Sequence, residues 1–218
     1  MNASAPRLRR GLYLVLTDPP AGYERMAEWA MDAGLPAIQF RPKRIPSRIA
    51  TDREWLRVAR ALRAITRGSS TLFIVNDRPD LAILSEADGI HVGQEDLPPG
   101  EVRRLIGNQR LLGLSTHNLD QVRAANAEPV DYIGFGPLFE TNSKDHPDPV
   151  TGPDLLAQAA ALSRHPIVAI GGLTAERVAT LPCAHYRCAA VIRAVAEATD
   201  PALAMKTLQR QIQENEWI

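Results

Sequence analysis

At 218 residues, 45% of them apolar and 23% charged, the chain is long enough for one α/β barrel and has a globular rather than a disordered composition. Its 25 Lys and Arg balance 25 Asp and Glu, so bulk charge offers no attraction to nucleic acid or to an anionic membrane. No run approaches the ~18 apolar residues of a membrane span. Met1–Arg10 is not followed by a signal-type apolar run with a cleavage site, so a cytoplasmic protein is expected. Cys183 and Cys188 are too few for a zinc framework and read as buried free thiols.

Short apolar runs alternate with amphipathic ones. A first strand spans Gly11–Leu16 and ends at Thr17-Asp18-Pro19-Pro20, and a helix follows over Tyr23–Ala33. The second strand, Ala37–Phe40, runs into Arg41-Pro42-Lys43-Arg44. Trp55, Val58, Leu62 and Ile65 recur at helical spacing and predict a helix over Asp52–Thr66. A third strand over Thr71–Val75 leads into Asn76-Asp77-Arg78-Pro79. A fourth over Gly89–Val92 leads into Gly93-Gln94-Glu95-Asp96. Pro98 and Pro99 suit the start of a helix that turns Val102, Leu105 and Ile106 inward. Strands five to seven are read at Leu111–Leu114, Asp131–Phe135 and Ile167–Ile170. The eighth is the least distinct, near Cys188–Ile192, and a last helix covers Ala202–Asn215.

Eight strand-then-helix units predict an α/β fold, a single (β/α)8 TIM barrel occupying residues 1–218 as one domain. A doubly wound open sheet is the structural alternative. The strands are short and almost continuously apolar, as strands buried on both faces are.

Polar residues gather just after these strands: Gln39, Arg41 and Lys43; Asn76 and Asp77; Asp96; Ser115; Thr141, Ser143 and Lys144; Gly171 and Gly172. In a barrel all these loops open on one face. Gln39, Arg41 and Lys43 alternate along an extended segment and share a side; an amide and two cations suit a polyphosphate, although a solvated basic turn has the same composition. Asp77 and Asp96 follow neighbouring strands. They suit a hard cation shared with phosphate oxygens, an acid/base pair or two helix caps. Gly171-Gly172 allows close approach of an anion or makes a tight turn. The five histidines form no zinc-type cluster in sequence, and a structural or surface role is expected of each. His117 lies closest to the rim. No Walker loop, GxGxxG or GxSxG is present.

The runs Ile38–Lys43, Val75–Ala82, Ala87–Asp96, Gly113–His117, Asp131–Pro137, Thr141–Lys144 and Val168–Gly172 occur in this order along nearly the whole chain. Together they resemble the thiamine-phosphate synthase family, which includes the thiazole tautomerases. The resemblance implies coupling of hydroxymethylpyrimidine diphosphate with thiazole phosphate, releasing pyrophosphate, with Mg²⁺ as cofactor and small phosphorylated molecules as partners. It leaves homo-oligomerisation open. It implies that Gln39, Arg41, Lys43, Asn76, Ser115 and Lys144 hold the diphosphate, with Lys144, Ser115 and Arg41 as the catalytic set. Asp77 and Asp96 are the implied metal ligands. Thr141, Asn142, Ser143, Gly172, Ile192 and Arg193 would receive the thiazole phosphate.

Two other activities fit the same scaffold: a tautomerase, needing neither diphosphate nor metal, and a non-catalytic phosphate-ligand binder. Lys43, Asp77, Asp96 and Lys144, together with Pro137 where some tautomerases carry a histidine, favour the synthase. The chain departs from the family at its eighth strand. Arg193 stands where a small serine is usual, and Tyr186-Arg187-Cys188 lacks the expected glycine.

Overall fold

A computed structural model describes residues 6–43, 49–141 and 149–214. Eight parallel strands follow one another in chain order around a closed barrel: β1 (Gly11–Leu16), β2 (Ala37–Phe40), β3 (Leu72–Asn76), β4 (Gly89–Val92), β5 (Leu111–Thr116), β6 (Tyr132–Phe135), β7 (Ile167–Ile170) and β8 (Cys188–Val191). Pairing of β1 with β8, Gly11 against Cys188 through Leu14 against Val191, closes the ring. The open-sheet alternative is thereby excluded.

Side-chain alternation along each strand separates two cores. Leu12, Leu14, Ile38, Phe40, Ile90, Val92, Ile133 and Phe135 point outward into the layer between strands and helices. Tyr13, Val15, Ala37, Ile74, Leu111, Tyr132, Val168, Cys188 and Ala190 fill the barrel. The outer layer is covered by α1 (Tyr23–Asp32), α2 (Asp52–Thr66), α3 (Pro79–Leu84), α4 (Pro99–Ile106), α5 (Leu119–Ala125), α6 (Gly152–Leu162), α7 (Ala175–Thr180), α8 (Arg193–Ala196) and α9 (Pro201–Glu214).

Local chemistry explains several boundaries. Thr51 and Glu54 form a reciprocal cap at the start of α2: Thr51 Oγ1 accepts from the Glu54 amide, and the Glu54 carboxylate accepts from the Thr51 amide. On the face where the strands begin, Asp88 accepts from the Phe73 amide and from Arg63, both at 2.9 Å, and Asp131 repeats this with the Leu112 amide and Arg103, both at 2.7 Å. Asp131 thus stands before β6 as a clamp rather than in it. At the same end Gln209 of α9 accepts from the Leu12 amide at 2.7 Å.

The structure corrects four further expectations. Leu105 is 56% exposed because α4 turns only Val102 and Ile106 into the core. Cys183 is only partly buried, whereas Cys188 is fully buried and its thiol is pushed up to about 12 by desolvation. Asn76 belongs to β3, and β5 runs on through Ser115 and Thr116. β3 is shifted one residue along from its reading and β5 is two residues longer, because their ends stay paired with the next strand, Asn76 opposite His91 and Ser115 opposite Gly134.

Candidate active site

The C-terminal ends of the strands surround a cavity of about 570 Å³, within the usual range for a small-molecule site. Its floor is the upper part of the barrel interior: Val15, Val168, Ile170 and Ala190, with Tyr13 and Tyr132. Its wall comes from separate strands and loops. β2 supplies Gln39 and, just beyond its end, Arg41. β3 supplies Asn76, β4 His91, and β5 Ser115 and Thr116. The loops after β6, β7 and β8 supply Thr141, Gly172 and Ile192, and the start of α8 supplies Arg193.

Strand parity explains this convergence. Gln39 and Arg41 are two residues apart and succeed Ala37 on the inward side of β2. Ser115 likewise succeeds Gly113, and His91 succeeds Gly89. Glycines make the room. A Cβ on Gly113 would lie 2.2 Å from the Tyr132 ring and 2.4 Å from His91 Nδ1, so those two side chains meet only because residue 113 lacks one. At Gly134 the same atom would come within 3.2 Å of the His91 ring.

A chain of side-chain hydrogen bonds crosses the floor. Gln39 Nε2 donates to the Tyr13 hydroxyl at 2.9 Å, which lies 3.1 Å from the Tyr132 hydroxyl. The Tyr132 hydroxyl is 3.2 Å from His91 Nδ1, and His91 Nε2 is 2.9 Å from Ser115 Oγ. Burial pushes both phenols well above their ordinary range, so both are neutral hydroxyls at physiological pH. Gln94 then ties the Ser115 carbonyl to the loop after β4, at 2.6 Å.

Elsewhere on the rim, His117 Nδ1 donates to the Gly136 carbonyl at 2.7 Å. Leu138 N donates to Ile170 O and Phe139 N to Gly171 O, which zips the loop after β6 onto the one after β7. Gly171 and Gly172 have φ values of 101° and 62°, in the left-handed region that glycine tolerates. A side chain at Gly172 would also strike the Glu140 carbonyl, at 2.5 Å. Arg177 lies over the Phe139 ring at 4.8 Å and donates to the Gly172 carbonyl.

Of the predicted site residues, Gln39, Arg41, Asn76, Ser115, Thr141, Gly172, Ile192 and Arg193 line this one cavity. Lys43, Asp77 and Asp96 stand outside its lining, Lys43 half-buried and the two aspartates exposed. Asn142, Ser143 and Lys144 lie outside the described residues. Asp77 has φ 60° and its amide donates to the His91 carbonyl at 2.8 Å, tying the start of the loop after β3 to strand β4. Arg78 secures that loop from behind, bonded to Asp52 at 2.9 Å and Asp80 at 2.6 Å, and it holds the Asp80 carboxyl below its ordinary range. Asp96 accepts from the Gly93 amide at 2.7 Å.

Sequence reading missed four participants. His91, Tyr13 and Tyr132 were not assigned to the site, and Arg177 was not considered. A signal existed for the first: glycines at the inward positions of β4, β5 and β6 leave space that a large side chain must fill.

A sequence model described as thiamine monophosphate synthase matches residues 12–195, from the first barrel strand to α8. The chain belongs to the thiamine monophosphate synthase family. With it, the chain belongs among the transferases of thiamine biosynthesis. It is 42% identical over 212 residues to the thiamine-phosphate synthase of Anaeromyxobacter dehalogenans, covering 95% of this chain and 91% of that one. A thiamine-phosphate synthase of a Synechococcus species is 40% identical over 206 residues. The match covers 94% of this chain, which spans only 57% of that relative's length. Among solved structures, thiamine phosphate pyrophosphorylase from Pyrococcus furiosus superposes with a TM-score of 0.82 at 29% identity, covering 97% of this chain and 98% of that one.

Proposed function

We propose that this cavity joins hydroxymethylpyrimidine diphosphate to thiazole phosphate, forming thiamine phosphate and pyrophosphate, and that residues 1–218 act as one catalytic domain. The observation that carries this reading is the convergence of two polar groups on one apolar floor. Gln39, Asn76 and Ser115 come from β2, β3 and β5, and Arg41 follows β2; Thr141, Gly172 and Ile192 come from the loops after β6, β7 and β8, and Arg193 from the start of α8. One group suits a diphosphate and the other a phosphate, with room for aromatic rings between them.

The residue types fit a dissociative route. The bond between the pyrimidine methylene and the diphosphate oxygen breaks, and its electron pair leaves with the diphosphate. The thiazole nitrogen then captures the methylene cation. No protein nucleophile is required. What the protein must supply is preorganised positive charge and hydrogen-bond donors at the leaving oxygens. Arg41 offers a planar fork, Ser115 a hydroxyl and Asn76 an amide, and Lys43 and Lys144 add charge. Val15, Val168, Ile170 and Ala190 exclude water from the path of the cation.

Asp77 and Asp96 are the residues that would hold Mg²⁺. Among the described residues no group of three or more His, Cys, Asp or Glu side chains could hold a metal. Two exposed carboxylates after neighbouring strands suit an ion that is completed by substrate phosphate and water. When bound, the ion would neutralise charge on the departing diphosphate.

The test is incubation of the purified protein with both substrates and Mg²⁺. Thiamine phosphate and pyrophosphate in equal amounts are expected; absence of product from folded protein overturns the reading.

A further inference from the structure

With the Gln39 amide turned so that Nε2 faces Tyr13, the hydrogen-bond chain from Gln39 to Ser115 has two possible senses, and only one leaves every buried proton with an acceptor. Gln39 presents an amide N–H to the Tyr13 hydroxyl, so that oxygen accepts at this end. Its own proton must then go to its remaining partner, the Tyr132 hydroxyl. The Tyr132 proton goes on to His91 Nδ1. His91 Nδ1 is thus the acceptor and Nε2 carries the proton, which is donated to Ser115 Oγ. In the opposite sense Ser115 donates to Nε2, Nδ1 donates to Tyr132, and Tyr132 donates to Tyr13. The Tyr13 proton would then face an N–H, in a residue 1% exposed. A stranded buried hydroxyl proton is the costlier state.

We infer that His91 is a positioning residue which, as the neutral Nε2–H tautomer set by Tyr13 and Tyr132, turns the Ser115 hydroxyl proton into the cavity. Ser115 Oγ accepts from His91, so its hydrogen is available to an acceptor above the floor. This inference rests on the diphosphate reading given above for the ligand that Ser115 meets. A serine oriented by solvent alone points its proton at a phosphate oxygen part of the time. A serine held by a fixed donor does so without further ordering on binding. The arrangement also explains Gly113, whose missing Cβ lets His91 and Tyr132 meet.

Two measurements test the relay. The first is nitrogen NMR of the full chain labelled in its histidines, with the His91 resonances assigned by their loss in His91→Gln. A protonated Nε2 and a bare Nδ1 are expected; a protonated Nδ1 overturns the inference whether or not the protein makes product. The second is a double-mutant cycle with Tyr132→Phe and Ser115→Ala, read as the dissociation constant of inorganic pyrophosphate with Mg²⁺ and as single-turnover rate. Without the Tyr132 proton, Nδ1 can carry the hydrogen, and Ser115 then donates to His91 instead of to ligand. Each single change is expected to weaken pyrophosphate binding roughly 10- to 100-fold, the range for a hydrogen bond to a charged group, and the double change no more than Ser115→Ala alone. Multiplying effects would mean that Tyr132 acts through packing and would overturn the relay. A wild-type protein that binds pyrophosphate but makes no product would count against the proposed reaction alone.

Discussion

Arg193 and Glu197 are both in the cavity wall, four residues apart at the start and just past the end of α8, with Arg193 Nε 2.8 and 2.9 Å from the two Glu197 carboxylate oxygens. The pair is half exposed, so it adds little to stability. It does decide where the guanidinium sits. Glu197 engages Nε and thereby holds the planar fork at the cavity wall. An arginine held there can meet a phosphate where a family serine would. Arg193→Ser is expected to raise the KM for thiazole phosphate roughly tenfold or more and leave pyrophosphate affinity unchanged, by loss of a charge-assisted hydrogen bond. Glu197→Gln is expected to act in the same direction, more weakly. Raised coupling in Arg193→Ser would instead show that the arginine obstructs the pocket.

Asp96 can lose its charge without losing its contact in the loop after β4. Its carboxylate accepts from the Gly93 amide, a bond that an asparagine oxygen can also accept. Asp96→Asn and Asp77→Asn are therefore expected to leave the melting temperature within a few degrees of wild type while turnover falls at least tenfold. Excess chelator is expected to abolish turnover. Full activity in chelator, measured as pyrophosphate release, refutes the assignment.

Lys144 is assigned to the charge that develops on departing pyrophosphate. Preorganised electrostatic groups of this kind are worth ~2.7–4 kcal/mol, roughly a hundred- to thousand-fold in rate. Lys144→Ala is expected to slow single-turnover coupling by that factor with the circular dichroism spectrum unchanged. An unaltered single-turnover rate removes Lys144 from the mechanism.

Gly113→Ala tests whether the cavity floor is tightly built. The added methyl would meet Tyr132 and His91 Nδ1 far inside contact distance, so both rings must shift. Overpacking of this sort costs roughly 1–3 kcal/mol. A lower urea midpoint and weaker pyrophosphate binding are expected together. A loss of stability with wild-type pyrophosphate affinity would detach the His91 network from ligand binding.

Much of this was legible along the chain. β1, β2, β4 and β7 have the read boundaries, because strands buried on both faces are continuous apolar runs stopped by polar loops. Gln39, Arg41, Asn76 and Ser115 were found for the same reason: period two places a polar residue at the end of an inward row directly over the floor. His91 was not found, because a histidine inside an apolar run has no local partner. Its two partners are 24 and 41 residues away.

By itself, then, the amino-acid sequence determined the alternation of strands and helices, the family, and the face on which the cavity-lining polar residues stand, since each of these depends on local period and on short runs. The tertiary structure decided which inward side chains meet. Closing β1 onto β8 brings Tyr13 to Tyr132, 119 residues apart, and so gives Gln39 a route through His91 to Ser115. That route depends on strand register and on the absence of one Cβ at Gly113, quantities that exist only once the barrel is closed.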